Sequence, residues 1–365
     1  MKLGRRDILM GGGAAALFTA LPGTGRAGFA PSPSGWRDFE ITTRVELPRG
    51  GASAQSWVPI PAVAEPGWHE AGRTRWQTNA DRAEIAEDPA TGARFVHAVW
   101  SGGSDDAVLE VVSVASTRDR DVDLVHPRDV APLSEEDRAR YLAPTMLIPT
   151  DGIVRETALG ITQGAETDLD RARLIYDWIV ESTERNPDTR GCGLGDIASM
   201  LAMGDLTGKC ADLNTLFVGL ARAFGLPARD IYGLRVAPSA FGYKSLGAGS
   251  PDVTKAQHCR AEVFLDDFGW VPVDPADVRK VVLEEPPKTL TLADPEVRDV
   301  RQALFGAWEG NWIGYNFAHD VELPGSDAGP VPFLMYPQAE IEGRPRDPLE
   351  PAAFTYSITA RERAV

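Results

Sequence analysis

The chain is poor in the residues that build metal and nucleotide sites. Its 365 residues hold three cysteines, Cys192, Cys210 and Cys259, none in the close pairs that chelate zinc. Four of the five histidines, His69, His97, His126 and His319, fall in no ligand-like spacing and read as ordinary β-domain or surface residues. No glycine-rich loop runs into Lys-Ser or Lys-Thr, so no phosphate cradle is encoded. Neither a metal nor an organic cofactor is therefore expected. Positive charge is scarce as well: 37 Lys and Arg stand against 53 Asp and Glu, a formal net charge of -16. With no basic stripe interleaved with aromatics, nucleic acid and anionic lipid are excluded as expected partners, and strongly anionic polymers read as poor substrates. No uninterrupted apolar run reaches the roughly 20 residues of a membrane span.

What is present is an ordinary globular composition, 43% hydrophobic and 25% charged, long enough for two or three domains. The first thirty residues stand apart. Their basic start, Gly/Ala-rich apolar middle and closing small residues have the layout of a cleaved export signal. Arg5-Arg6 followed by Asp7, Ile8 and Leu9 resembles a twin-arginine signal, and cleavage is expected after Ala27 or Ala30, giving a periplasmic or extracellular protein. Three cysteines in such a protein leave at least one without a partner in the chain.

Residues 31–130 read as a β-sandwich-like domain. In FEITTRVEL, Phe39, Ile41, Thr43, Val45 and Leu47 alternate with polar residues, and RFVHAVW and AVLEVVSVAST continue the pattern. Residues 118–133 read as a linker. A mixed core follows over 131–290, in which Ala172, Ile175, Tyr176, Ile179 and Val180 keep helical spacing, and 291–365 reads as a β-rich extension.

The chemistry concentrates in three places. Residues 210–224 set Leu213, Leu216, Phe217, Leu220, Ala221 and Phe224 on one helical face, with Gly225 and Pro227 as stop signals. Cys210 therefore starts a helix, where unpaired amides and the positive dipole end favour a thiolate. The same amides, that of Cys210 included, would face an oxyanion. Gly208 is read as keeping the approach to the thiol open. Buried structural cysteines are common, so this placement is not sufficient alone. The second and third places are HCRAEVFL and GWVPVD, two strands around Asp267-Phe268-Gly269. If Leu265 pairs with Gly269 across a three-residue turn, Arg260 lies opposite Asp274 and His258 is diagonal to it. The diagonal Cβ separation is then roughly 7–8 Å. A two-residue turn would send them to opposite faces. Gly269 suits the longer, bulged turn, so the shared face is expected.

GKCADLNTLFVGLARAFGLPARDIYGLRV, then HCRAEVFL, then GWVPVDPAD, resembles the transglutaminase-like, papain-related superfamily over about residues 135–290. The resemblance implies an α+β fold in which Cys210 is the nucleophile, His258 the general base and acid, and Asp274 the residue that orients the imidazole. The family often has His-Ala-Trp where this chain reads His258-Cys259-Arg260. The glutamine that papain-like enzymes place before the cysteine has no counterpart in AMGDLTG, which leaves the second oxyanion donor unassigned.

Neighbouring residues have plainer readings. Cys259 points away from the face of His258 and reads as core, and a Cys192–Cys259 disulfide would leave Cys210 free, although spacing does not set connectivity. Asp212 would oppose a thiolate unless turned away. Arg229 reads as a brace and Trp270 as core. Together these features lead to an exported cysteine peptidase or amidase, with release of a thioester to water favoured over release to an amine, acting on a peptide or protein amide. A non-catalytic exported scaffold with a relic core is the rival.

Overall fold

The computed structural model describes residues 28–103 and 105–363, so most of the expected signal, residues 1–27, lies outside them. Strands come first: β1 (Arg37–Leu47), β2 (Ala54–Pro59), β3 (His69–Thr78), β4 (Arg82–Glu87), β5 (Arg94–Trp100), β6 (Ala107–Thr117) and the short β7 (Arg120–Asp121). The middle of the chain holds α1 (Glu135–Leu142), α2 (Gly152–Ile161), α3 (Asp168–Ser182), β8 (Glu184–Arg185), α4 (Ile197–Met203), β9 (Thr207–Gly208) and α5 (Cys210–Phe224). It continues through β10 (Ala228–Arg235), β11 (Gln257–Leu265), β12 (Gly269–Val273), α6 (Pro275–Glu284) and α7 (Pro295–Ala303). Last come β13 (Ala307–Trp308), β14 (Trp312–Asn316), β15 (His319–Val321), β16 (Val331–Phe333), β17 (Gln338–Ile341), β18 (Arg344–Arg346) and β19 (Thr355–Arg363).

The alternation of β1 does what a half-buried strand requires: Phe39, Ile41, Thr43, Val45 and Leu47 are buried, and the residues between them are half-buried or exposed. β1 lies between β19 and β6 in an antiparallel sheet of order β19-β1-β6-β3, and a second sheet runs β18-β17-β2-β5-β4. Val45, Leu47, Leu109 and Val111 of the first sheet meet Val58, Val96, Ala98 and Trp100 of the second, which makes a sandwich. β17, β18 and β19 belong to these sheets, so strands about 300 residues downstream of β1 complete them. Strand period alone gives no hint of that pairing.

The core is arranged around α5. Its bounds and its left-handed Gly225 (φ 109°) follow the sequence signals, but every residue from Cys210 to Ala223 is buried, polar ones included. A single apolar face is therefore too little: the sheet β12-β11-β10-β14 covers one side, and α2, α3 and α4 pack elsewhere around the helix. In the β11–β12 hairpin Leu265 pairs with Gly269, whose φ of 77° serves the three-residue turn. The ladder runs through Val263–Val271 to Ala261–Val273, the register that places Arg260 beside Asp274.

Among the contacts that join sandwich and core, an apolar cluster and one arginine stand out. Phe39, Ile41, Ile358 and Ala360 share an apolar cluster with Leu234, Val236, Ile313 and Tyr315. Arg120, in the segment read as a linker, reaches Glu262 and the Trp270 carbonyl and lies 5.2 Å from the ring centres of both Trp68 and Trp308. That segment is tied down at this point. Among the described residues no helix is long and apolar enough to cross a membrane.

Candidate active site

Cys210 is the first residue of α5 and is 4% exposed. The nearby carboxylate of Asp212 is turned away from it, accepting hydrogen bonds from the backbone amides of Leu194 (3.0 Å), Gly195 (3.0 Å) and Lys209 (2.9 Å). A Cβ built on Gly193 or Gly208 would stand 1.9 or 2.4 Å from that carboxylate. Gly208 thus makes room for Asp212, which corrects the expectation that it clears a path to the thiol. The Ala211 amide donates to the Cys192 carbonyl (2.9 Å), so at the start of the helix the Cys210 amide is the candidate oxyanion donor.

His258, on β11, meets Asp274 with Nε2 2.7 Å from Oδ2. Asp274 is the N-cap of α6, its Oδ1 accepting from the Asp277 amide (3.1 Å), so one side chain both starts a helix and holds the imidazole. With Nε2 so engaged, Nδ1 is the ring nitrogen left over, and Cys210 lines the same cleft as His258, whose charge favours the thiolate. Asn214, one turn along α5, fastens the parts together: its Nδ2 donates to the Cys259 carbonyl (2.8 Å) and to Asp274 Oδ1 (3.1 Å), and its Oδ1 accepts from the Ala276 amide (3.2 Å). The Trp312 indole donates to the His258 carbonyl (2.8 Å). The fold therefore brings Cys210, His258 and Asp274 to one place.

Buried charge in this region is heavily paired. Both oxygens of Asp277 accept from Arg235 Nη2 (2.5 and 2.7 Å), and Asp277 Oδ2 lies 3.5 Å from His258 Nε2. Arg260 Nε is 3.8 Å from Asp274, and burial pulls its guanidinium down to about 10. Burial, together with Arg235, works against the His258 charge, but the Asp277 and Asp274 carboxylates outweigh them and the imidazole pKa is raised. Burial and the neighbouring Asp277 raise Asp274. The thiols of Cys192 and then Cys259, with His258, hold the Cys210 pKa well below that of an ordinary thiol, against the opposing effect of burial. All three cysteines are free, so the disulfide between 192 and 259 is absent. Cys259 is a core residue as expected, and the charge of Cys210 helps to raise its thiol pKa.

Among the described residues, only His258, Asp274 and Asp277 cluster closely enough to suggest a metal site. Arg235 already occupies both oxygens of Asp277, and the imidazole occupies Asp274, so the donors are committed. Cys210 and His258 open onto a cleft of about 590 Å³. Its lining joins basic side chains of the core with Leu349 and Phe354 of the C-terminal segment. Trp270 lies elsewhere, 4.0 Å under the Arg229 guanidinium, which also binds Glu262 and Glu65 as a buried brace.

A family profile described as the transglutaminase-like superfamily matches residues 155–275, a span that contains Cys210, His258 and Asp274. Residues 155–275 thus form a transglutaminase-like domain. An uncharacterized protein of Haemophilus influenzae is 36% identical over 342 residues, covering 89% of this chain and 91% of its own. A solved structure from Cytophaga hutchinsonii, put forward as a cysteine protease, has a TM-score of 0.51 at 15% identity, over 90% of this chain and 99% of that one, and shares the fold. The periplasmic domain of TgpA from Pseudomonas aeruginosa is a looser match (TM-score 0.33, 15% identity, 67% of this chain and 88% of that one).

Relative to these transglutaminase-like features, the sequence reading missed Arg235 and Asp277, whose roles exist only once β10 and α6 meet. It gave Asn214 no role, although a position four residues after Cys210 on a helix faces the same way. Because the Cys210 pKa is lowered and the His258 pKa raised, the thiolate–imidazolium pair is the form expected near neutrality. Alkylation of Cys210 by iodoacetamide should stay fast well below the ordinary thiol pKa of about 8.5. A rate that is half-maximal near that ordinary value would contradict the pairing.

Proposed function

We propose that the chain is an exported thiol-dependent peptidase or amidase. The observation that carries this reading is the 2.7 Å contact between His258 Nε2 and Asp274, which leaves Nδ1 for a thiol at a helix start. In the proposed reaction the Cys210 thiolate attacks the carbonyl carbon of an amide, forming a C–S bond while the carbonyl π electrons move onto oxygen. Collapse of that intermediate breaks the C–N bond, and the imidazolium of His258 gives its Nδ1 proton to the departing amine. The thioester is then hydrolysed by water, whose proton passes to Nδ1, and the thiolate is released. Asp274 keeps the Nε2 proton in place throughout and supports the imidazolium charge. The oxyanion would be received by the Cys210 amide and by Gln257 Nε2, a buried amide nitrogen in the cleft wall with no partner among the described residues. Water is favoured over an amine acceptor because a basic wall disfavours the approach of ammonium groups.

The export reading also gains a preferred cleavage point. Phe29 is buried, with its ring 5.1 Å from that of Phe241 and 5.4 Å from that of Tyr243. Cleavage after Ala30 would strip this ring from the core, whereas cleavage after Ala27 keeps it. N-terminal sequencing of the exported protein should read from Gly28; a start at Pro31 or at Met1 would contradict this.

The reaction is tested by acid-quenching the full chain with a mixture of peptide amides and mapping the adduct by mass spectrometry. An acyl group on Cys210 is expected. Cys210→Ala should abolish turnover with little change in the thermal midpoint, and Gln257→Ala should slow it by roughly 10²–10³. Turnover that survives in Cys210→Ala would overturn the assignment.

A further inference from the structure

The cleft has the opposite charge to the protein. The chain carries a net charge of -16, yet the residues lining the cleft include Arg185, Arg190, Lys209, Arg235, Lys255 and Lys280 against a single acid, Asp252. Three of these cations are matched by carboxylates behind the wall: Arg235 by Asp277, Arg185 by Glu284 and Arg190 by Asp347. The other three are not fully matched. Lys280 Nζ stands 3.8 Å from Glu284, which Arg185 already holds. Lys209, the residue before Cys210, donates one hydrogen bond to the Thr189 carbonyl (2.6 Å) and makes no ion pair among the described residues, and the exposed Lys255 has only Asp252, the single acid of the lining, near it. Positive charge without a counter-ion in a concave, partly desolvated wall is costly to fold and is kept where a ligand supplies the missing anion.

Resting on the reading of Cys210 as the nucleophile, we propose that the site takes an anionic acyl donor: a peptide amide carrying a carboxylate beside the scissile bond, held by Lys209, Lys255 and Lys280. The charge logic is specific to the cleft. An approaching carboxylate meets an acidic protein surface and then a thiolate, both repulsive, and the unmatched ammonium groups are what reverses the sign locally. Burial, reinforced by Arg235, lowers Lys280 to about 8, and a bound carboxylate would draw its charge back. Leu349 and Phe354, also in the lining, offer contact to an aliphatic neighbour in the same peptide. In this proposal the cleft accepts a single carboxylate even though the acidity of the whole chain makes strongly anionic polymers poor substrates.

The test needs no knowledge of the natural substrate. Iodoacetate and iodoacetamide are near-isosteric alkylating agents that differ by one charge, and their rates on Cys210 in the full chain give a ratio to compare with N-acetylcysteine. The ratio is expected to exceed that of the free thiol by at least about tenfold at low salt and to fall severalfold at roughly 0.5 M salt. Lys255→Met, an exposed change, should lower the iodoacetate rate and leave the iodoacetamide rate unchanged. Lys280→Met should add to the loss, and Lys255→Met alone decides the matter if Lys280→Met does not fold. A ratio equal to or below that of the free thiol, or one indifferent to salt and to Lys255→Met, overturns the proposal. The pH dependence of the iodoacetamide rate reports separately on the nucleophile: a lowered thiol pKa with no anion preference would refute the donor class alone, and an ordinary thiol pKa would refute the underlying reaction.

Discussion

Two carboxylates, Asp274 and Asp277, are buried within one turn at the start of α6, and the architecture of the site follows from the need to neutralise them. Unpaired, such groups would cost several kcal/mol each. Their cations come from other elements: Arg235 from the end of β10, His258 and Arg260 from β11. Each pairing fixes where a strand must stop relative to α6. The arrangement therefore sets the imidazole in position with the same interactions that make the burial tolerable. Asn214 extends the constraint to α5, so the helix that starts with Cys210 cannot shift without leaving the Ala276 amide and the Cys259 carbonyl unsatisfied.

The second feature of the site is the tolerance of negative charge around the thiol. Asp212, two residues from Cys210, would work against a thiolate, but three backbone amides and two close glycines hold it facing away. The neighbouring thiols of Cys192 and Cys259 favour a thiolate at Cys210 in a setting where burial alone would oppose it. The cost is that neighbouring thiols become harder to ionise: Cys192 is raised chiefly by its contact with Cys210, and Cys259 chiefly by burial. The shifts thus favour ionisation of Cys210 over its two neighbours.

Much of this was legible in the sequence because it depends on local signals. The apolar spacing and Gly225 delimit α5, and the three-residue turn at Gly269 fixes the hairpin register that brings His258 toward Asp274. What escaped depends on chain segments that meet only in the fold. Asp277 looks like an ordinary first-turn acid until Arg235 is beside it. The C-terminal strands alternate correctly, but nothing local says that β19 pairs with β1 or that the segment around Leu349 closes the cleft. The basic lining of the cleft was not legible either, since a sum over the whole chain is blind to the sign of a concave surface.

The central claim is that Asp274 holds a proton on Nε2 of His258 while Nδ1 serves Cys210. Nitrogen-15 NMR of histidine-labelled protein reads both ring nitrogens directly. At neutral pH the account predicts a doubly protonated His258 whose Nε2 proton is strongly deshielded and whose deshielding is lost in Asp274→Asn. A neutral ring at that pH with its single proton on Nδ1 would contradict the account.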